Sequence, residues 1–172
     1  MGTRADFYVR DNSQDKAMYW LGSIGWDGYP DGIDNPILKA TDLEDFKREV
    51  GSFLGREDAT CNKEGWPWPW EDSNTTDYSY VFDMTEKIVF ISAFGCPYFT
   101  LKENNRYYKL EKQYYEKYGD DLDNAPDAPD FDKFLLKLGR TERFTFPNMK
   151  DKQNVKLDGP GSGLIVIRRK IS

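Results

Sequence analysis

The sequence predicts an α+β fold: a single domain with a mainly antiparallel sheet built from hairpins, packed against two or three helices. Three observations carry this expectation. Two pairs of aromatic, β-favouring runs are each separated by a short polar connection. A strongly signalled helix lies between the pairs, and strands and helices do not alternate in the βαβ rhythm of a parallel sheet. At 172 residues the chain suffices for one domain, which spans residues 1–172. Folding a chain of this size buries roughly 70% of the surface of the unfolded state.

The elements follow in order. Residues 5–10 and 17–24 form the first hairpin, across the polar loop 11–16. Gly25, Gly28, Gly32 and Pro30 then force a loop. Thr41-Asp42-Leu43-Glu44 reads as a capping box, in which the Thr hydroxyl and the Glu carboxylate satisfy free backbone donors reciprocally. Leu43, Phe46, Val50, Phe53 and Leu54 recur at helical spacing behind it, and Gly55 supplies a stop. Residues 77–83 and 87–94 make the second hairpin. Residues 105–118 read as a helix whose tyrosines, Tyr107, Tyr114 and Tyr118, share one half-buried face. A proline-punctuated acidic loop at 119–130 follows. Asp130 caps a short helix at 131–138, ended by Gly139. Residues 142–146 and 164–170 complete the set as strands, with the glycine-rich run 159–163 as a flexible connection.

Composition removes several chemistries. The chain contains no histidine and two cysteines, Cys61 and Cys96. Ser-His-Asp and Cys-His catalysis, histidine metal sites and a four-cysteine zinc site are therefore outside its reach. No string matches a P-loop, and the run 159–163 precedes a β-type sequence rather than a helix whose dipole could face a phosphate. The two cysteines read as small buried hydrophobes. An EF-hand register starting at Asp121 fails because Ala125 and Pro126 fall where a ligand and a glycine are needed. No cofactor and no metal are expected.

The net charge of −6 conceals an asymmetry: residues 1–132 hold 14 Lys/Arg against 27 Asp/Glu, and residues 133–172 hold 10 against 3. An acidic body disfavours direct nucleic-acid binding. No apolar run approaches the roughly 20 residues that span a bilayer. Without a secretory signal or a disulfide framework, a soluble cytoplasmic protein is expected.

The most informative segment is Gly65-Trp66-Pro67-Trp68-Pro69-Trp70-Glu71-Asp72. Prolines fix φ and disfavour the helical region for the residue before them, so the run reads as stiff and extended. Alternate residues of an extended segment share a side, so the three indoles can face one way and the prolines the other. Such a ribbon serves either as a lid on the core or as a contact surface with a polar rim.

The function expected is that of a non-enzymatic protein that binds and occupies a partner protein. Trp66, Trp68 and Trp70 would grip, while Glu71, Asp72 and the acidic-loop residues Asp121, Asp123 and Asp127 would steer a basic target. In general character the chain is similar to accessory proteins of phages and mobile elements that block a host protein, including anti-defence inhibitors. The likeness covers no motif and transfers no residue role. The alternative is a small carboxylate-dependent enzyme or carbohydrate-binding module built on Trp26, Asp27, Tyr29 and Asp31, where paired carboxylates lie beside aromatic platforms. That alternative requires a concave pocket holding at least two of these carboxyl groups.

Overall fold

The computed structural model describes residues 2–12, 17–56 and 65–151, and two short strands, 155–156 and 165–167, beyond them. Both expected hairpins form. Strand β1 (Ala5–Asp11) pairs antiparallel with β2 (Ala17–Ile24), and β3 (Tyr78–Asp83) pairs antiparallel with β4 (Ile88–Ala93). They join side by side through one parallel pairing, β1 with β3, running from Ala5↔Tyr78 to Arg10↔Asp83. Strand β5 (Phe99–Thr100) extends one edge, and β6 (Val155–Lys156) and β7 (Ile165–Ile167) extend the other. The described strands make one sheet in the order β5-β4-β3-β1-β2-β7-β6. It is a mostly antiparallel sheet packed with helices, a single-domain α+β fold.

Strand alternation gives the sheet two different faces. One carries Ala5, Phe7 and Val9 of β1, Tyr80 and Phe82 of β3, and Val89 and Ile91 of β4. Helices α1 (Asn35–Leu38), α2 (Leu43–Arg56) and α4 (Phe131–Lys137) cover it, through Ile37 and Leu38, through Phe46, Val50, Phe53 and Leu54, and through Leu135. This is the main apolar core. Phe7 stacks on Tyr80 and Phe46 on Phe82, at 5.5 and 5.4 Å between ring centres. The opposite face carries Tyr8, Trp20, Val81 and Phe90. It is covered by irregular chain bringing Trp66, Phe144, Phe146 and Met149.

Several boundaries differ from the sequence expectation. The cap of α2 is Asp42 rather than Thr41: its Oδ1 accepts from the Asp45 N–H at 3.1 Å, and its carbonyl accepts from Phe46 N–H. Both residues suit the role, and Asp42 takes it by accepting from the Asp45 N–H. The helix continues through Gly55 to Arg56. Helix α3 (Leu101–Tyr118) starts four residues earlier than expected, on a full capping box in which Thr100 Oγ1 accepts from Glu103 N–H and Glu103 Oε1 accepts from Thr100 N–H.

The tyrosine stripe of α3 is a packing face. Tyr107 lies against Phe131 and Phe134 of α4. Tyr107 and Tyr114 donate their hydroxyls to the carbonyls of Pro129 and Pro126, which binds the acidic loop to the helix. Asp130 caps α4 as expected.

Residues 142–146 are not a strand. Tyr98 N–H reaches the Glu142 carbonyl, and the alternating Phe144 and Phe146 spend their β-type pattern on packing over the sheet instead of pairing in it. Strand β7 falls inside the expected 164–170, while the run 159–163 lies outside the described residues. Among the described residues no helix is long and apolar enough to cross a membrane.

The capping box of α3 supports a direct prediction. Thr100→Ala will lower the unfolding free energy by about 1 kcal/mol through loss of the reciprocal cap, measured by urea denaturation. An unchanged midpoint would show that α3 is held by its tyrosine face alone.

Candidate functional site: a buried carboxylate beneath a tryptophan lid

Asp6 stands in the middle of an otherwise aromatic and apolar strand and is fully buried. Its position is set by an irregularity in the β1–β2 ladder. The register shifts between Phe7↔Gly22 and Tyr8↔Trp20, leaving Leu21 as the extra residue of a bulge. Trp20 and Ser23, three apart in sequence, consequently face the same side of the sheet, Trp20 opposite Tyr8 and Ser23 opposite Asp6. Across the parallel pairing Asp6 meets Ser79, and Ser79 meets Ser92. Four strands thus carry one row of small polar residues, Ser23, Asp6, Ser79 and Ser92, all buried.

The Asp6 carboxylate collects donors. Ser23 Oγ and Trp68 Nε1 donate to its Oδ1 at 2.5 and 2.7 Å, and Ser73 Oγ donates to Oδ2 at 2.7 Å. The Thr76 side chain adds a further hydrogen bond. Each of the three hydroxyls is itself fed by an aromatic donor. Trp20 Nε1 donates to Ser23 Oγ at 2.9 Å, Trp70 Nε1 to Thr76 Oγ1 at 2.9 Å, and Tyr8 Oη contacts Ser73 Oγ at 2.6 Å. Because Ser73 spends its only proton on Asp6, Tyr8 is the donor in that last pair. The polar tips of Trp20, Trp68, Trp70 and Tyr8 therefore all resolve onto one carboxylate, directly or through a hydroxyl.

Among the described residues no Lys or Arg reaches Asp6 at ion-pair distance. Burial pushes its carboxyl above the ordinary carboxylate range, and the four hydrogen bonds oppose that shift. With Asp6, Ser23, Ser73 and Thr76 all buried, the cluster has no open side for a substrate. It organises structure.

The tryptophan ribbon is the cover of this cluster. Trp68 and Trp70 stack in near-parallel planes with centres 5.4 Å apart, so these two indoles share one side as the alternation implied. Trp66 meets buried Trp20 edge-on at 5.7 Å. Its Nε1 donates to the Trp70 carbonyl at 2.7 Å, so the segment curls back on itself rather than running straight. All three indole N–H groups are spent inside the molecule and all three rings are half-buried. The Arg4 guanidinium lies over Trp68 and Trp70, 5.6 and 5.3 Å from their ring centres. Lys150 Nζ donates to the Pro69 carbonyl. Glu71 is exposed on the rim, and Asp72 caps the turn Ser73–Thr75 by accepting from Asn74 N–H.

The second expected set sits beside the first. Parallel pairing puts the starts of β1 and β3 at one end of the sheet, and β2 and β4 finish there. The end loops interlock: Gly28 N–H reaches the Thr3 carbonyl, Tyr80 Oη the Gly28 carbonyl, and Phe94 N–H the Asp77 carbonyl. Trp26 lies over Gly2, two residues before the arginine that covers the ribbon. Trp26, Tyr29 and Phe94 are 54%, 40% and 59% exposed, and Asp27 and Asp31 open to solvent around them. Tyr29 Oη points at Asp27 Oδ1, whose charge raises the Tyr29 pKa.

Two of these residues adopt left-handed backbone without being glycine, Asp27 at φ 55° and Phe94 at φ 51°. The loops allow them little room: a side chain at Gly32 would collide with the Asp27 carbonyl, and one at Gly95 would crowd Asn74.

The acidic-loop residues do not converge. Asp121 is bridged by Asn124 Nδ2, and Asp123 and Asp127 are exposed. Among the described residues no group of three or more potential metal ligands comes together. Cys96 is a half-buried free thiol, and Cys61 lies outside the described residues. Sequence reasoning passed over Asp6, Ser23, Ser73 and Phe94. For Asp6 the signal was present as a charge at mid-strand, between Ala5 and Phe7. No protein-family model matches the chain, and no curated protein or solved structure matches it.

The carboxylate hub predicts its own mutational behaviour. Asp6→Ala leaves Trp68 Nε1 and three hydroxyls without their acceptor and will cost about 3 kcal/mol, read by urea denaturation with tryptophan fluorescence. Asp6→Asn keeps an acceptor for Trp68 and will cost less. Burial holds the folded-state pKa above the ordinary aspartate value of 3.8, which means that Asp6 disfavours folding once ionised. Relative to Asp6→Asn, wild-type stability will therefore be greatest below that value and decline as pH rises through the elevated one, in a comparison running from about pH 3 to about pH 7. The opposite slope would show the hydrogen bonds outweighing burial.

Proposed function

We propose that this chain is a non-enzymatic binding protein that docks on a basic surface of a partner protein and occupies it, in the manner of a small inhibitor. The docking surface is the sheet end bearing Trp26, Tyr29 and Phe94, rimmed by Asp27, Asp31, Glu71 and Asp72. One observation carries the reading: exposed rings stand on or beside non-glycine residues held in left-handed backbone. Strain of this kind costs of order 1–3 kcal/mol per residue and concentrates at functional positions.

Aromatic anchors on an already ordered loop lose little entropy on docking. The carboxylates around them suit a basic target, and the remaining negative charge, including Asp121, Asp123 and Asp127, steers encounter. In this reading the ribbon supports the surface more than it forms it: Trp68 and Trp70 fix Arg4 and the segment beneath Trp26. The enzyme or carbohydrate alternative has weaker support, because Asp27 and Asp31 both face solvent instead of sharing a pocket.

The test is affinity capture from lysate with identification of bound proteins. It compares wild type, a Trp26→Ala/Phe94→Ala double variant and a Leu122→Ala control, all shown to be folded. A specific protein retained by wild type and the control and lost from the double variant is the expected result. Equal retention by all three, or capture by none, overturns the reading. Separately, Phe94→Gly will keep or raise stability, by up to about 1 kcal/mol, since glycine relieves the left-handed strain. A clear loss in urea denaturation would mean that the ring, and not its presentation, is what the loop needs.

A further inference from the structure

On this acidic molecule one groove is basic. Lys39 follows α1, and Lys102, Arg106 and Lys109 come from α3. Together with Asn105 and Leu101 they line a shallow groove of about 410 Å³. All four cations are exposed. Arg4, Arg10, Arg48, Arg56 and Arg140 pair with carboxylates, whereas the four groove cations have no carboxylate at ion-pair distance among the described residues. Arg106 is instead placed by the Phe134 ring, 6.0 Å from its centre.

An excess of 27 acidic over 14 basic residues in positions 1–132 makes four unneutralised cations in one concavity a local reversal of field. Such a reversal concentrates anions. Lys102, Arg106 and Lys109 fall at i, i+4 and i+7, one helix face spanning about 10 Å along the axis. Lys39 closes the groove from a second element.

We infer that this groove binds a small compound carrying a chain of two or three phosphates. Several closely spaced anionic groups match cations strung along two helical turns. Ammonium groups are flexible point charges that follow phosphate oxygens, and Arg106 adds a planar fork for one of them. The volume is that of a small-ligand site. Leu101 offers an apolar floor for a ring attached to the phosphates. The inference uses no residue of the proposed docking surface.

Calorimetric titration of the full chain with tripolyphosphate at low salt tests it, with inorganic phosphate and a polyglutamate peptide as comparison ligands. Wild type is expected to bind tripolyphosphate more tightly than phosphate or polyglutamate. A Lys102→Gln/Arg106→Gln/Lys109→Gln variant, folded by circular dichroism, is expected to lose about tenfold or more in affinity. Lys39→Gln alone is expected to lose about threefold, while Lys87→Gln on the β3–β4 turn is unchanged. Lys39→Gln serves as the decisive variant should the triple one misfold. Absence of binding at about 1 mM tripolyphosphate, equal binding by the groove variants and wild type, or tighter binding of polyglutamate overturns the inference. The last result would assign the groove to an acidic protein segment.

Discussion

A carboxylate buried without a cation is the constraint around which this protein is arranged. Taking Asp6 out of water is expensive, and no salt bridge among the described residues offsets it. What makes it tolerable is that the carboxylate receives one indole N–H and three hydroxyls. Those hydroxyls in turn accept from Trp20, Trp70 and Tyr8. The dependence runs both ways. Without Asp6 the indoles would place their N–H groups against a sheet with nothing to accept them, and a tryptophan ring buried with an unpaired N–H is a poor lid. Without the indoles the acid would need water. Neither half is stable alone, so the network specifies a single placement of residues 66–76 over the sheet.

That placement divides the labour between the faces. The helical face is held by apolar area, a non-directional force that fixes α2 through a stripe of Phe46, Val50, Phe53 and Leu54. The ribbon face is held by directed hydrogen bonds and ring stacking, so a segment with no regular secondary structure acquires a definite path. The parallel β1–β3 pairing connects the two consequences. It centres Asp6 in the sheet and lines up the starts of β1 and β3, so that the loops bearing Trp26, Arg4, Trp70 and Phe94 meet at one end.

What could be read from the sequence was what local interactions decide. Both hairpins, the stripe of α2, the tyrosine face of α3 and the Asp130 cap depend on residues close in sequence, and their positions came through within a few residues. The caps show the limit of such reading. Thr41 and Thr100 both head capping-box strings, yet only Thr100 forms the box, because Asp42 competes successfully at the first site. Phe144 and Phe146 carry a strand's alternation, but alternation records which side chains point the same way, and a strap lying across a sheet needs the same pattern. The parallel pair and the Asp6 hub were out of reach for another reason. Asp6 meets Ser73 and Trp68 across more than 60 residues, and nothing local encodes that register. The prolines suggested a straight ribbon. The bond from Trp66 to the Trp70 carbonyl shows that five residues of alternating Trp and Pro can still curl when an indole N–H has an acceptor to gain.

The distribution of strain follows from the same economy. Left-handed backbone falls on glycine at Gly95, next to Phe94, and at Gly139, just after α4, but on a non-glycine residue at Lys87 in the β3–β4 turn. Asp27 and Phe94 occupy equivalent conformations at a steric cost that glycine would remove. Phe94 does not recover that cost by burial, since more than half of its surface is in water. Within the free molecule the position gains the backbone hydrogen bond from Phe94 N–H to the Asp77 carbonyl, while the ring itself stays in water. The neighbouring Trp26, on a loop closed by Tyr80 and Thr3, presents a second exposed ring at the same end of the sheet, and the proposed docking surface rests on this pair.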